Sequence, residues 1–127
     1  MTLRRVLLLV RDVPAGVKFF GKEGLGLPVV VESPEYAEMA LSKQVIGQPD
    51  LPTLALQAVK READCSTGYS PLLNFDVDDM DDMVGRLLMQ GARLDGPIKY
   101  PPIGKLAAIR SPCGHMVGLF EANPDLE

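Results

Sequence analysis

Leu9-Val10-Arg11-Asp12-Val13 and Phe75-Asp76-Val77-Asp78-Asp79 describe one event twice: an apolar strand gives way to a helix at an aspartate. Val10-Arg11-Asp12 and Val77-Asp78-Asp79 stand 67 positions apart (77 − 10). The same offset pairs Gly24 with Gly91, Leu27 with Leu94, Val31 with Ile98 and Ala40 with Ala107. A repeat of this length implies two similar halves and a site where they meet.

Each half can be read outward from its transition. Leu3 to Val10 is a continuous apolar run, the mark of a buried strand. Asp12 is a helix N-cap, and Pro14 suits a first helical turn. Val13, Val17 and Phe20 follow at helical spacing, and Gly24 and Gly26 end the helix. Pro28 to Glu32 and Tyr36 to Leu41 form a hairpin around Ser33-Pro34-Glu35. Lys43 to Pro52 reads as a loop and Leu54 to Val59 as a strand. The polar stretch from Lys60 to Ser70 reads as the linker. The order then recurs: a strand over Leu72 to Val77, and a helix over Asp78 to Gln90 with Met80, Met83, Val84, Leu87 and Leu88 on its apolar face. Three strands follow, over Arg93 to Tyr100 (interrupted by Gly96-Pro97), Lys105 to Arg110 and His115 to Ala122. The last residues, Asn123 to Glu127, are expected to fray. The fold class is therefore α+β: two β-α-β-β-β modules, 1–60 and 70–122, in a single domain over 1–127. Together they form a curved mixed sheet around an open cavity.

Composition bounds the function. The chain has 127 residues, 46% hydrophobic and 24% charged, an ordinary globular balance. A net charge of −4 argues against binding nucleic acid or an anionic membrane. The apolar run Val6 to Val10 is too short to span a bilayer. Arg4 and Arg5 before it resemble the start of a signal peptide, but Arg11-Asp12 closes the run and no cleavage site follows. Cys65 and Cys113 have no metal-ligand spacing; they read as two reduced thiols of a cytoplasmic protein in preference to a disulfide, the alternative that two cysteines leave open.

Three stretches resemble the vicinal oxygen chelate superfamily of glyoxalase I, fosfomycin and bleomycin resistance proteins and extradiol dioxygenases. They are Leu9 to Val13 followed by Phe19-Phe20 and Gly24-Leu25-Gly26-Leu27, Phe75 to Asp79 followed by Gly91-Ala92, and Arg110-Ser111-Pro112-Cys113-Gly114-His115 running into Leu119-Phe120-Glu121. The resemblance implies a homodimer or a fusion of two such domains. It also implies metal ligands in the first and last strand of each half, on Arg5, Ala55, Leu72 and Gly118. None of these suits a divalent ion. Alanine, glycine and leucine offer no donor atom, and arginine stays protonated. A one-residue slip does not restore the set.

Other candidates read as structural. His115, the only histidine, is a turn residue opening the last strand. Glu121 lies an odd number of residues from Gly118, hence on the opposite face, as a surface or rim residue. Asp78, Asp79, Asp81 and Asp82 favour a helix N-terminus, and Cys113 is an inert turn thiol. Strand periodicity instead sends Arg5, Leu7, Gln57, Leu72, Asn74, Asp76, Met116 and Phe120 to the open faces. Arg5 either meets a ligand anion, pairs with Asp76 or snorkels to the rim. The expected function is metal-independent binding of a small organic molecule, without cofactor or catalytic residue, as in drug-sequestering resistance proteins. The alternative is a lyase, isomerase or oxidoreductase of glyoxalase or dioxygenase type, with an unrecognised metal or a metal-free site. A third reading is a purely structural partner whose pocket is filled by its own side chains.

Overall fold

In the computed structural model of the chain, residues 3–41 and 52–124 are described. Most of the expected loop after Lys43, and the last three residues of the expected frayed end, lie outside them. The chain divides into two compact units, Met1–Ser66 and Thr67–Glu127.

The first unit contains β1 (Arg5–Val10), α1 (Val13–Phe20), β2 (Val29–Glu32), β3 (Tyr36–Ala40) and β4 (Thr53–Ala58). Its sheet has the order β1-β4-β3-β2, with β1 parallel to β4 and the other pairs antiparallel. Alternation decides which face is covered. Leu8 pairs with Leu56, Val6 with Leu54, and Ala37 and Met39 continue the same rows on β3. Leu8, Val10, Ala37, Met39, Leu54 and Leu56 are buried, as are Val13, Val17, Phe19 and Phe20 of α1. Each fully buried leucine contributes ~1.5–3 kcal/mol of hydrophobic stabilisation. The rings of Phe19 and Phe20 meet edge to face with centroids 4.9 Å apart. Asp12 caps α1 by accepting the Ala15 N–H at 3.0 Å. After the helix the chain folds back so closely that a Cβ on Gly24 would lie 1.9 Å from the Phe19 carbonyl oxygen. Only glycine fits there. β2 is the outer edge strand, and Val29, Val30 and Val31 are all exposed on it.

The second unit repeats the plan with β5 (Gly68–Asp76), α2 (Met80–Met89), β6 (Arg93–Leu94), β7 (Gly104–Arg110) and β8 (His115–Ala122). Its sheet order is β5-β8-β7-β6, with β5 parallel to β8. Met80, Val84 and Leu87 of α2 are buried together with Ile109, Val117 and Leu119. Asp79 caps α2 by accepting the Asp82 N–H at 3.1 Å, so the helix starts later than the expected Asp78. Leu88, expected on the apolar face, is exposed, because Val84 and Leu87 already cover the sheet side of the helix.

Three further details differ from expectation. The segment from Lys60 to Ser70 is not a featureless linker. It holds a 3-10 turn over Glu62–Asp64 and the first residues of β5. The strand expected over Arg93 to Tyr100 is two residues long, followed by one bridge between Lys99 and Leu106, because Gly96-Pro97 breaks it. The repeat offset also drifts. β1 and β5 keep 67, but Glu38 pairs with Ala55 as Ala108 pairs with Gly118, an offset of 70 (108 − 38). Ala37, not Ala40, is therefore the counterpart of Ala107. No helix among the described residues is long and apolar enough to cross a membrane.

Candidate functional site

With one sheet face under its helix, the chemistry of each unit falls on the other face. On the first sheet that face is polar. Arg5 Nε donates to Glu38 Oε1 at 3.2 Å, and Thr53 Oγ1 donates to the same oxygen at 2.7 Å. The Thr53 hydrogen bond holds the Glu38 carboxyl below its usual range against the opposing effect of burial, and Arg5 and Tyr36 add to the lowering. Burial and the bond to Glu38 push the Tyr36 hydroxyl up. Arg5 is thus paired with Glu38, a carboxylate that neither its proposed ligand role nor its proposed pairing with Asp76 anticipated. Leu7 and Gln57 lie on the same face, Leu7 opposite Ala55 and Gln57 one pleat further along β4, opposite Leu9.

The second sheet is lined differently. The strand register makes Leu72, Met116, Ala108, Leu106 and Phe120 the counterparts of Arg5, Thr53, Glu38, Tyr36 and Gln57. Every polar member of the first network is replaced by an apolar side chain. The result is a cavity of about 480 Å³, within the ~300–1,000 Å³ usual for small-molecule sites. Asn74, Gly118 and Ala108 form its floor, one from each of three adjacent strands. Leu72 and Leu106 form apolar walls and are 42% and 37% exposed. The absence of a side chain at Gly118 makes room for Asn74, whose Oδ1 would lie 2.0 Å from a Cβ built there.

The rim comes from the segment beyond β6. Asp95 N–H donates to the Ala108 carbonyl at 2.8 Å, and Lys99 and Leu106 exchange two backbone hydrogen bonds of 2.9 Å. Tied at both ends, the segment bends at Asp95-Gly96, where Gly96 takes a φ of 87°, and Asp95, Pro97 and Lys99 line the cavity. The Tyr69 hydroxyl donates to the Asp95 carboxylate.

Of the residues placed on this face by sequence, Leu72 and Asn74 line the cavity. Met116 is fully buried, Phe120 is half-buried, Asp76 is exposed, and none of the three is among the lining. Tyr69, Asp95, Pro97, Lys99, Leu106 and Ala108 were not expected. Tyr69 fell in the presumed linker, and the rim residues fell in a presumed strand. The Gly96-Pro97 break was the local signal that this segment leaves the sheet.

The four presumed metal-ligand positions all lie on open faces but do not fit a divalent ion. Arg5 is held by Glu38, Ala55 and Gly118 bring no donor, and Leu72 is apolar. One pleat along, Leu7, Thr53, Asn74 and Met116 add no carboxylate or imidazole. Among the described residues no group of three or more His, Cys, Asp or Glu side chains converges.

His115 opens β8, as expected, but on the helix side and fully buried. Burial pushes its imidazole pKa down, opposed by the nearby Pro71 carbonyl. That carbonyl falls short of hydrogen-bond geometry, since neither ring nitrogen has a partner, nor does the buried Ser111 Oγ. Glu121 is on the opposite face from Gly118, as expected, and is half-buried there. Its Oε1 accepts the Met80 N–H at 2.6 Å at the start of α2, and its other oxygen lies 3.6 Å from Lys105 Nζ. Cys65 and Cys113 are not joined in a disulfide, and both are half-buried.

No curated protein matches the sequence significantly. Solved structures resemble it throughout. A glyoxalase/bleomycin resistance protein/dioxygenase family enzyme from Burkholderia phytofirmans PsJN has 20% identity and a TM-score of 0.74, covering 97% of this chain and 100% of its own. TnmS3, an antibiotic binding protein from Streptomyces sp. CB03234, has 23% identity and a TM-score of 0.66, covering 97% of each chain. The bleomycin-binding protein of Streptomyces verticillus has 17% identity and a TM-score of 0.58, covering 97% and 98%. At these identities the likeness is one of fold. The family profile, however, matches residues 2–119 of the sequence itself, and the chain belongs to the Glyoxalase/Bleomycin resistance protein/Dioxygenase superfamily.

Proposed function

We propose that this protein binds a small organic molecule in the cavity of its second unit, without a metal ion. The observation that carries the proposal is the contrast between the two open faces. They share one strand register, yet the first carries Arg5 paired with Glu38 while the second has only apolar counterparts of that network and leaves about 480 Å³ free between Leu72, Leu106 and Ala108. Apolar area supplies affinity there, and Asn74, Tyr69 and the rim charges supply orientation. The donor set supports the metal-free part, since none of the four presumed ligand positions offers a donor suited to a divalent ion and no group of three or more His, Cys, Asp or Glu converges among the described residues. Two proteins of similar fold are described as antibiotic-binding and bleomycin-binding. Pairing of two copies belongs to the same proposal and is supported by the three exposed valines on edge strand β2.

A thermal-shift screen of uncharged and charged aromatic compounds tests this reading. A ligand at a hundred times its Kd stabilises the folded state by ~2.7 kcal/mol. Ala108→Leu fills the floor and should abolish the shift while the protein stays folded. A screen in which no compound stabilises the protein, or a shift that survives Ala108→Leu, would overturn the site. Stoichiometric metal in the purified protein would overturn the metal-free part, and a monomer by light scattering at micromolar concentration would overturn the pairing.

A further inference from the structure

The charges around the cavity indicate which class of molecule it takes. Resting on the binding reading above, we propose that the ligand is an organic anion: an apolar or aromatic body on the cavity floor, carrying an acidic group that meets Lys99. Three cations share this face. Lys99 is on the rim beside Leu106. Arg93 and Arg110 are direct cross-strand partners on β6 and β7, two residues from Asp95 and Ala108 respectively. That is one pleat, ~6.8 Å, from the cavity floor.

Like charges placed opposite each other repel, so the arginine pair is disfavoured unless an anion comes near. None of the three cations has an ion-pair partner among the described residues. The chain as a whole is acidic at −4, which makes the local excess of positive charge a property of this face. Two carboxylates oppose it. Asp95 lines the cavity but already accepts the Tyr69 hydroxyl, and it lies between Arg93 and Lys99 on the same edge. Asp76 pairs with Phe120 at the far strand, outside the lining. A ligand ammonium group would therefore face more cations than free carboxylates, whereas a carboxylate, sulfonate or phosphate would find Lys99 without a competing partner.

The first unit provides the contrast. Its own cation, Arg5, is neutralised by Glu38 on the same face. The counterpart of Glu38 in the second unit is Ala108, so the second face has lost its built-in carboxylate and an incoming one can take the role.

Two dyes with nearly the same ring system separate the contributions. Anilinonaphthalene sulfonate carries an anionic group, and N-phenylnaphthylamine lacks it and is uncharged. Fluorescence titration of the whole protein should show the sulfonate binding about tenfold tighter, as expected for one charge-assisted contact. Lys99→Gln should remove that advantage and leave the neutral dye unchanged. Lys99→Arg should keep it, and added salt should weaken only the sulfonate. Ala108→Leu should reduce both dyes, which ties them to the cavity. Equal affinities in the unmodified protein, or a sulfonate affinity indifferent to Lys99→Gln, would overturn the anion inference while leaving the cavity as a binding site. Failure of both dyes to bind would overturn the binding reading and this inference with it.

Discussion

A methyl group added at position 118 probes the floor of the cavity more sharply than any truncation. A Cβ built on Gly118 falls 2.0 Å from Asn74 Oδ1, whereas ordinary contact begins near 3.4 Å. The amide must retreat by about 1.4 Å (3.4 − 2.0). Asn74 is held in the ladder between β5 and β8, so the retreat falls on its side chain. Asn74 is exposed, so its amide can swing outward, and holding it off its preferred rotamer costs ~0.5–1.5 kcal/mol. Replacing glycine by alanine inside a strand favours folding by ~0.5–1 kcal/mol when there is room. Gly118→Ala should therefore leave stability close to unchanged when Asn74 is present. In an Asn74→Ala background the obstruction is gone, and the same substitution should stabilise the protein. Urea denaturation of the four proteins in this cycle should give a coupling energy of ~0.5–1.5 kcal/mol. Equal effects of Gly118→Ala in the two backgrounds would refute the packing of Asn74 over Gly118 and the description of the floor.

Further outcomes follow from the same geometry. Asp79→Ala removes one cap of α2 and should cost ~0.5–1 kcal/mol by urea denaturation, at the low end because Glu121 still holds the Met80 N–H. His115→Leu replaces two buried, unpartnered nitrogens and should leave stability near neutral pH unchanged or raised. The native His115 resists protonation while the unfolded chain does not. Stability of the parent protein should fall as pH drops below the ordinary 6.5 and stop falling at the lowered folded pKa, and the leucine variant should lack this slope. For Glu38 the sign is the same but the window lies lower. Its carboxyl is held below the ordinary 4.5, so its contribution is complete above that value and disappears as pH falls through the lowered pKa. Acid titration of Glu38→Gln, followed by circular dichroism, should show a flatter acid limb than the parent.

The sequence carried most of the fold because the elements that set it are local. Asp12 and Asp79 cap helices that start one residue later, and the alternation of Leu8 and Val10, or of Val117 and Leu119, declares the covered face. The sheet pairing needed more. The counterparts Glu38 and Ala108 come from register across the hairpins, and a fixed offset of 67 misplaced them. The cavity was half legible. Leu72 and Asn74 follow from strand period alone. Asp95, Pro97 and Lys99 depend on two long-range ties to β7, and no local pattern encodes those ties. The partner of Arg5 was missed for a related reason: Glu38 is 33 residues away in sequence and adjacent only through the pairing of β3 with β4.

The matched registers of the two sheets set a condition on any attempt to graft one lining onto the other. A glutamate introduced at Ala108 alone would find Leu72 and Met116 where Glu38 has Arg5 and Thr53, and would turn instead to Lys99 on the rim and Arg110 one pleat along, occupying the place of the ligand's acidic group. Transferring the paired arrangement requires Ala108→Glu, Leu72→Arg and Met116→Thr. Leu72→Arg made first would add a guanidinium to a face that already carries three cations without ion-pair partners among the described residues, so the order of the exchanges matters as much as their identity.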